Sequence, residues 1–205
     1  YDPLQTLTLI PFLLIAQKAF SEQRAFTRKE YLGIAVSAFL SSATKGLNGI
    51  ILPAFAIAVH TLVVNGKDFR KTIRDGSQFL IFSFIPAAAL TTIYYIFLDR
   101  MIGRPFTEEF FLIHHLGRGT QAMESHHGPF YYYIPVALLS AGLLLPLLTL
   151  ESLRTRFSFK RWGFGLTFTL TTLFFYSISA TKLPHYTWPI WPALVLFLLD
   201  LQNQP

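Results

Sequence analysis

The chain has 205 residues, of which 52% are hydrophobic, 16% aromatic and only 14% charged, whereas a soluble domain carries about a quarter charged residues. This shortage of polar cover excludes an ordinary water-soluble domain, and several windows reach the roughly 20 apolar residues needed to cross a bilayer. The formal net charge is +6 and there is no cysteine, which excludes a disulfide framework and a thiolate metal site.

Hydropathy predicts an all-α, polytopic membrane bundle of about seven spans, forming a single transmembrane domain over 1–205. The apolar segments cover about 3–20, 31–44, 47–65, 77–98, 129–150, 162–180 and 188–201, the second and last being short enough to tilt or to pack inside the bundle. Asp2-Pro3 stands directly before the first apolar run with no basic n-region, so this is not a signal peptide. It reads as a helix entered from an earlier segment, and the chain is expected to be a piece of something longer.

Basic residues orient the spans. Arg24, Arg28 and Lys29 follow the first segment, and Lys67, Arg70, Lys71 and Arg74 the third. Arg154, Arg156, Lys160 and Arg161 follow the fifth. These alternate connections are cytoplasmic by the positive-inside rule, which accounts for the net charge without nucleic-acid binding. Alternation then places Asp2, the Lys45-Gly46 turn, the 99–128 connection and the Lys182–Tyr186 loop together on the external face.

The chemistry-bearing residues collect on that face. Asp2 is an acid at membrane level, costly unless paired or functional, although a helix cap explains it equally. Further on, Pro105, Thr107, Glu108 and Glu109 read as a helix start, with acids at the positive end of the dipole. His114, His115 and Arg118 are spaced to share one face of that helix. The same spacing serves an interfacial amphipathic helix with solvated charges. His114-His115, Glu124 and His126-His127 invite a divalent metal, but no standard zinc spacing is present.

In "SATKLPHYTWPIWPAL", residues 179–194, Lys182, His185 and Tyr186 are held close to the bilayer surface. A lysine there can simply snorkel to the headgroups. Grouped with Lys45 and Arg118, however, it suits a phosphate held where water is scarce. His60 is the one ionisable side chain well inside a span and is expected to pair locally with backbone or hydroxyl groups. G-x-S-x-G, H-E-x-x-H and Walker sequences are absent, which argues against an intramembrane protease or a nucleotide pump.

Three blocks, "ATKGLNGIILP" (43–53), "RPFTEEFFLIHHLGRGTQAMESHHGPFYYYIPV" (104–136) and "SATKLPHYTWPIWPAL" (179–194), resemble the bacterial GT-C membrane glycosyltransferases. The particular resemblance is to the aminoarabinose lipid A transferase and protein O-mannosyltransferase-like family, and it extends over nearly the whole chain. It implies transfer of a sugar from a polyprenyl-phosphate donor to a lipid, glycan or protein acceptor at the outer face of the bacterial inner membrane. By the same resemblance, Arg118 and Tyr186 contact the carrier phosphate and Lys45 is the lysine of the Lys-Gly turn. Lys182 adds a further cation, and His115 matches a loop histidine with a local or metal-binding role. Asp2 matches an acid near the active site. The family's catalytic carboxylate lies upstream of every residue in this sequence, so the general base is unassigned and this stretch alone is expected to be inactive. His114 stands where many relatives have an acid, which weakens a metal site there; His185 is a further candidate contact.

Two other readings use the same residues. A transporter or flippase for an anionic lipid needs the cations without a base, but it is expected to place charges near the midplane, and here they sit at the ends of the spans. A non-catalytic remnant needs only the fold.

Overall fold

A computed structural model describes residues 2–66, 68–102, 128–142, 144–154 and 163–202, together with 108, 117 and 120. Among these residues the secondary structure is entirely helical. Helices α1 (Asp2–Ser21), α2 (Arg28–Lys45) and α3 (Asn48–Asn65) are followed by α4 (Phe69–Phe79), which runs through a π-helical segment, Leu80–Phe84, into α5 (Ile85–Ile102). Helix α5 thus takes in residues 99–102, read from the sequence as the start of a connection, and later in the chain come α6 (Tyr133–Ala141), α7 (Leu144–Arg154), α8 (Phe164–Ile178) and α9 (Ile190–Gln202).

Three helices among the described residues are long and apolar enough to cross a membrane: Asp2–Ser21, Asn48–Asn65 and the continuous Phe69–Ile102. This corrects the expectation of seven spans. Segment 129–150 divides because Gly142 takes a positive φ of 47° and separates α6 from α7, a conformation that glycine adopts without a side-chain clash. Segment 31–44 begins earlier, with Arg28, Lys29 and Glu30 in the first turn of α2. Helices α8 and α9 have 15 and 13 residues, shorter than a full crossing.

Local chemistry sets the helix ends. Thr27 caps α2 in a capping box with Glu30, each satisfying a backbone N–H of the other. Arg24 then grips both Glu30 carboxylate oxygens, at 2.8 and 2.6 Å. This guanidinium is the main reason the Glu30 carboxyl is pulled down to about 2. Asp68 accepts from the Lys71 N–H and caps α4.

Helix α1 buries one face, with Leu9, Phe12, Leu13 and Ala16 fully buried, and leaves Leu4, Leu7 and Leu14 exposed. Phe12 meets Phe164 of α8 edge-on at 5.6 Å between ring centroids. Two glycines permit the closest crossings. A Cβ on Gly49 of α3 would stand 2.2 Å from the Ser42 nitrogen of α2, and one on Gly165 of α8 would stand 2.5 Å from the Ala193 carbonyl of α9. Small residues at such crossings let helices associate where no hydrophobic driving force separates lipid from protein. Large apolar side chains such as Leu32, Ile93 and Leu139 are exposed, as expected of surfaces that face lipid.

Candidate functional site

The predicted alternation of chain ends is visible in the contacts. One end of the bundle holds Arg24 with Glu30, and the Tyr31 hydroxyl on the Gln78 side-chain oxygen at 3.1 Å. At this same end Gln17 joins three helices: its side-chain oxygen accepts from the Gly165 N–H at 3.0 Å, and its amide nitrogen donates to Asp200. Sequence reading missed this clamp, although one polar side chain in each of two apolar runs was its signal. His60, one level deeper, contacts the Thr167 hydroxyl through Nδ1 at 2.8 Å, the local hydroxyl pairing expected of it.

The opposite end gathers Asp2, Lys45, His185 and Tyr186. Asp2 opens α1 and Lys45 closes α2, and the antiparallel register of the two helices brings them into an ion pair. The other Asp2 oxygen lies 3.0 Å from His185 Nε2. The Lys45 ammonium also stands 4.4 Å from the Tyr186 ring centroid, within cation–π range. A carboxylate, an ammonium, an imidazole and a phenol ring from α1, α2 and the 184–187 turn thus share one small polar site.

The turn that presents His185 and Tyr186 is built by Lys182. Its ammonium donates to the carbonyls of Tyr176, Ser177 and Ser179 at 3.2, 2.6 and 2.6 Å. These carbonyls belong to the C-terminal end of α8, where backbone acceptors run short of intrahelical partners and a cation is favoured; the Tyr176 carbonyl also accepts from the Ser179 N–H. Burial holds the Lys182 pKa below the ordinary lysine value. The next residue, Leu183, donates its N–H to the Tyr133 hydroxyl of α6 at 3.0 Å. Tyr186 packs on buried Tyr176 with ring centroids 4.8 Å apart. Lys182 therefore spends its charge on the backbone, whereas Lys45 keeps side-chain company.

Beneath the ion pair lies a polar layer. The Ser37 hydroxyl donates to the Thr8 carbonyl and Asp2 meets Lys45, so Gln5 falls at the level of Ser41. Gln5, Ser41 and Ser42 are all fully buried. Arg118, His114 and His115 lie outside the described residues, as do Glu124, His126 and His127. Among the described residues no three His, Asp or Glu side chains converge as metal ligands.

No family model matches the chain. In sequence it is 28% identical over 205 residues to the undecaprenyl phosphate-alpha-4-amino-4-deoxy-L-arabinose arabinosyl transferase of Erwinia tasmaniensis, covering 96% of this chain and 35% of that protein. It is 27% identical over 182 residues to the enzyme of the same name from Serratia proteamaculans, covering 85% of this chain and 32% of that protein. The chain thus spans about a third of the length of these curated relatives. In structure it is similar to ArnT from Cupriavidus metallidurans in the apo state, with a TM-score of 0.64 and 21% identity over 97% of this chain and 36% of that one. The same enzyme bound to undecaprenyl phosphate gives a TM-score of 0.50 at 21% identity, over 98% of this chain and 41% of that one. The chain is homologous to these aminoarabinose transferases and has the membrane helical-bundle fold of the matching stretch of ArnT, a GT-C glycosyltransferase.

Proposed function

We propose that the chain is the donor-phosphate portion of a membrane glycosyltransferase. The protein moves a sugar from a polyprenyl-phosphate carrier to an acceptor at the outer face of the bacterial inner membrane. The observation that carries this reading is the convergence of Lys45, Asp2, His185 and Tyr186 at one end of the bundle. It is supported by the homology to transferases whose names specify an undecaprenyl-phosphate donor.

The chemistry asks for such a site. The acceptor oxygen bonds to the anomeric carbon as the bond from that carbon to the carrier phosphate breaks. The electron pair departs on a phosphate oxygen, and a carboxylate takes the acceptor's proton. Developing negative charge on the leaving phosphate is stabilised by fixed cations and donors in a water-poor setting. Lys45 supplies the cation here, the Tyr186 hydroxyl a donor, and Arg118 a second cation from the long connection. Lys182 shapes the turn that carries Tyr186, and any contact it makes to the phosphate is secondary to its three carbonyls. For a divalent metal, the candidate ligands read from the sequence are His114, His115, Glu124, His126 and His127.

The test is transfer of a labelled sugar from its undecaprenyl-phosphate carrier by the intact protein in proteoliposomes. Lys45→Ala is expected to lower transfer by about 10- to 100-fold, the loss of one charge-assisted contact to a leaving group. Tyr186→Phe, which keeps the ring and removes the hydroxyl, is expected to lower it less. Unchanged transfer in both variants contradicts the clamp, and movement of the carrier across the bilayer without sugar transfer favours a flippase.

A further inference from the structure

The Asp2 carboxylate serves two cations. One oxygen meets the Lys45 ammonium and the other the His185 imidazole. The Asp2 and Lys45 side chains are only 14% and 16% exposed, whereas His185 is 42% exposed, so the imidazole is the member of the trio in ready exchange with water. Its unperturbed titration lies near neutral pH.

A phosphate ester arriving at Lys45 meets Asp2 already there. Bringing a further anion, with a charge of about −1 as the sugar-linked diester and about −1.5 to −2 as the monoester left after transfer, beside a carboxylate in a partly buried site is unfavourable unless positive charge is gained with it. Among the described residues, the charged and titratable groups in contact here are Asp2 from α1, Lys45 from α2, Tyr176 from α8 and Tyr186 from the turn; Arg118, the second cation of the donor reading, lies outside them. Lys182 already gives its ammonium to three carbonyls. Of these side-chain types, imidazole is the one whose unperturbed charge change falls between about pH 5 and 8.

We propose that Asp2, Lys45 and His185 form a proton-coupled latch: a phosphate binds by taking Lys45 from Asp2, and His185 takes up a proton and holds the released carboxylate. The proton comes from bulk water and returns to it when the phosphate departs, and no carbon bond changes in this exchange. The buried amide of Gln5 and the hydroxyls of Ser41 and Ser42 lie one turn below the pair, so its polar surroundings persist through the exchange. This inference rests on the reading that the donor phosphate binds at Lys45.

The experiment measures undecaprenyl phosphate binding to the intact protein in nanodiscs of zwitterionic lipid. Wild type, His185→Gln and Asp2→Asn are compared between about pH 8 and about pH 6. A phosphate monoester itself takes up a proton near pH 6, so the readout is the ratio of wild-type affinity to that of His185→Gln. That ratio is expected to rise by about three- to tenfold on acidification, as linkage requires for uptake of a fraction of a proton. Asp2→Asn is expected to bind at least as tightly as wild type at about pH 8, with no such rise. Calorimetry of the wild type in two buffers of different ionisation enthalpy reads the proton uptake without any variant. Inorganic phosphate serves as a second probe: the same linkage with it assigns recognition to the phosphate group alone, and linkage only with the lipid shows that the chain must anchor it. A constant ratio with binding intact overturns the latch and leaves the donor site standing. Absence of binding by the wild type at every pH overturns both.

Discussion

The Lys182 ammonium donates to three carbonyls at the end of α8, and a methionine there removes that donor while keeping most of the volume; the Tyr176 carbonyl keeps the Ser179 N–H, whereas those of Ser177 and Ser179 lose the ammonium. Lys182→Met is expected to destabilise the turn by about 1–3 kcal/mol, the usual cost of stranding a buried polar group. It should speed backbone hydrogen exchange over 183–187, and Lys182→Arg should restore part of the protection. Equal exchange in all three proteins contradicts the positioning role. Glu30 provides a residue-scale test against pH. Its folded carboxyl titrates at about 2, against 4.5 for the free side chain. Because the folded value is depressed, its contribution to stability is full above about 4.5 and is lost as the pH falls toward about 2. Arg24→Gln should therefore lower thermal stability near neutral pH and converge with wild type at the acid end of that window. A difference that persists at the acid end contradicts the pairing.

At the scale of elements, tight helix crossings and caps organise the bundle. Gly49→Ala puts a methyl group 2.2 Å from the Ser42 backbone nitrogen, which neither helix can yield without moving. The expected result is loss of several kcal/mol or failure to fold, seen as a lower yield of monodisperse protein. Gly76→Ala in α4 is the matched control, since a Cβ there meets nothing within 4 Å. It should be neutral or stabilising by about 0.4–1 kcal/mol. Equal behaviour of the two variants contradicts the α2–α3 crossing. Much at this scale was legible in the apolar runs, because α1, α3 and the 77–98 part of the α4–α5 rod needed only their length and hydropathy, whereas its first turns, from Phe69, read as a basic connection. The break at Gly142 was not, since a glycine inside an apolar run carries no sign of the φ it adopts. The inward turn of Lys182 was equally hidden: a lysine beside a helix end can snorkel, clamp a ligand or cap the helix, and only three-dimensional packing decides among these. The Gln17–Asp200–Gly165 clamp joins positions remote in sequence, beyond the reach of periodicity.

At the scale of the whole molecule, the alternation of charged connections predicted a common end for Asp2, Lys45, His185 and Tyr186, and the four meet there. Asp2, Lys45, His185 and Tyr186 are far apart in sequence, and the positive-inside pattern alone predicted their common face. It did not predict that Asp2 would stand between Lys45 and His185, because alternation assigns an end and says nothing of partners across it. On the proposed reading, the phosphate-binding cation Lys45 is already held by a carboxylate, and donor binding would replace one ion pair with another. The most direct measurement is undecaprenyl phosphate binding to the intact protein in nanodiscs, wild type against Lys45→Ala, at neutral pH and fixed salt. The account predicts saturable binding by the wild type and a loss of about tenfold or more in the variant. Equal affinity in the two proteins, with both folded, would contradict a donor-phosphate site at Lys45.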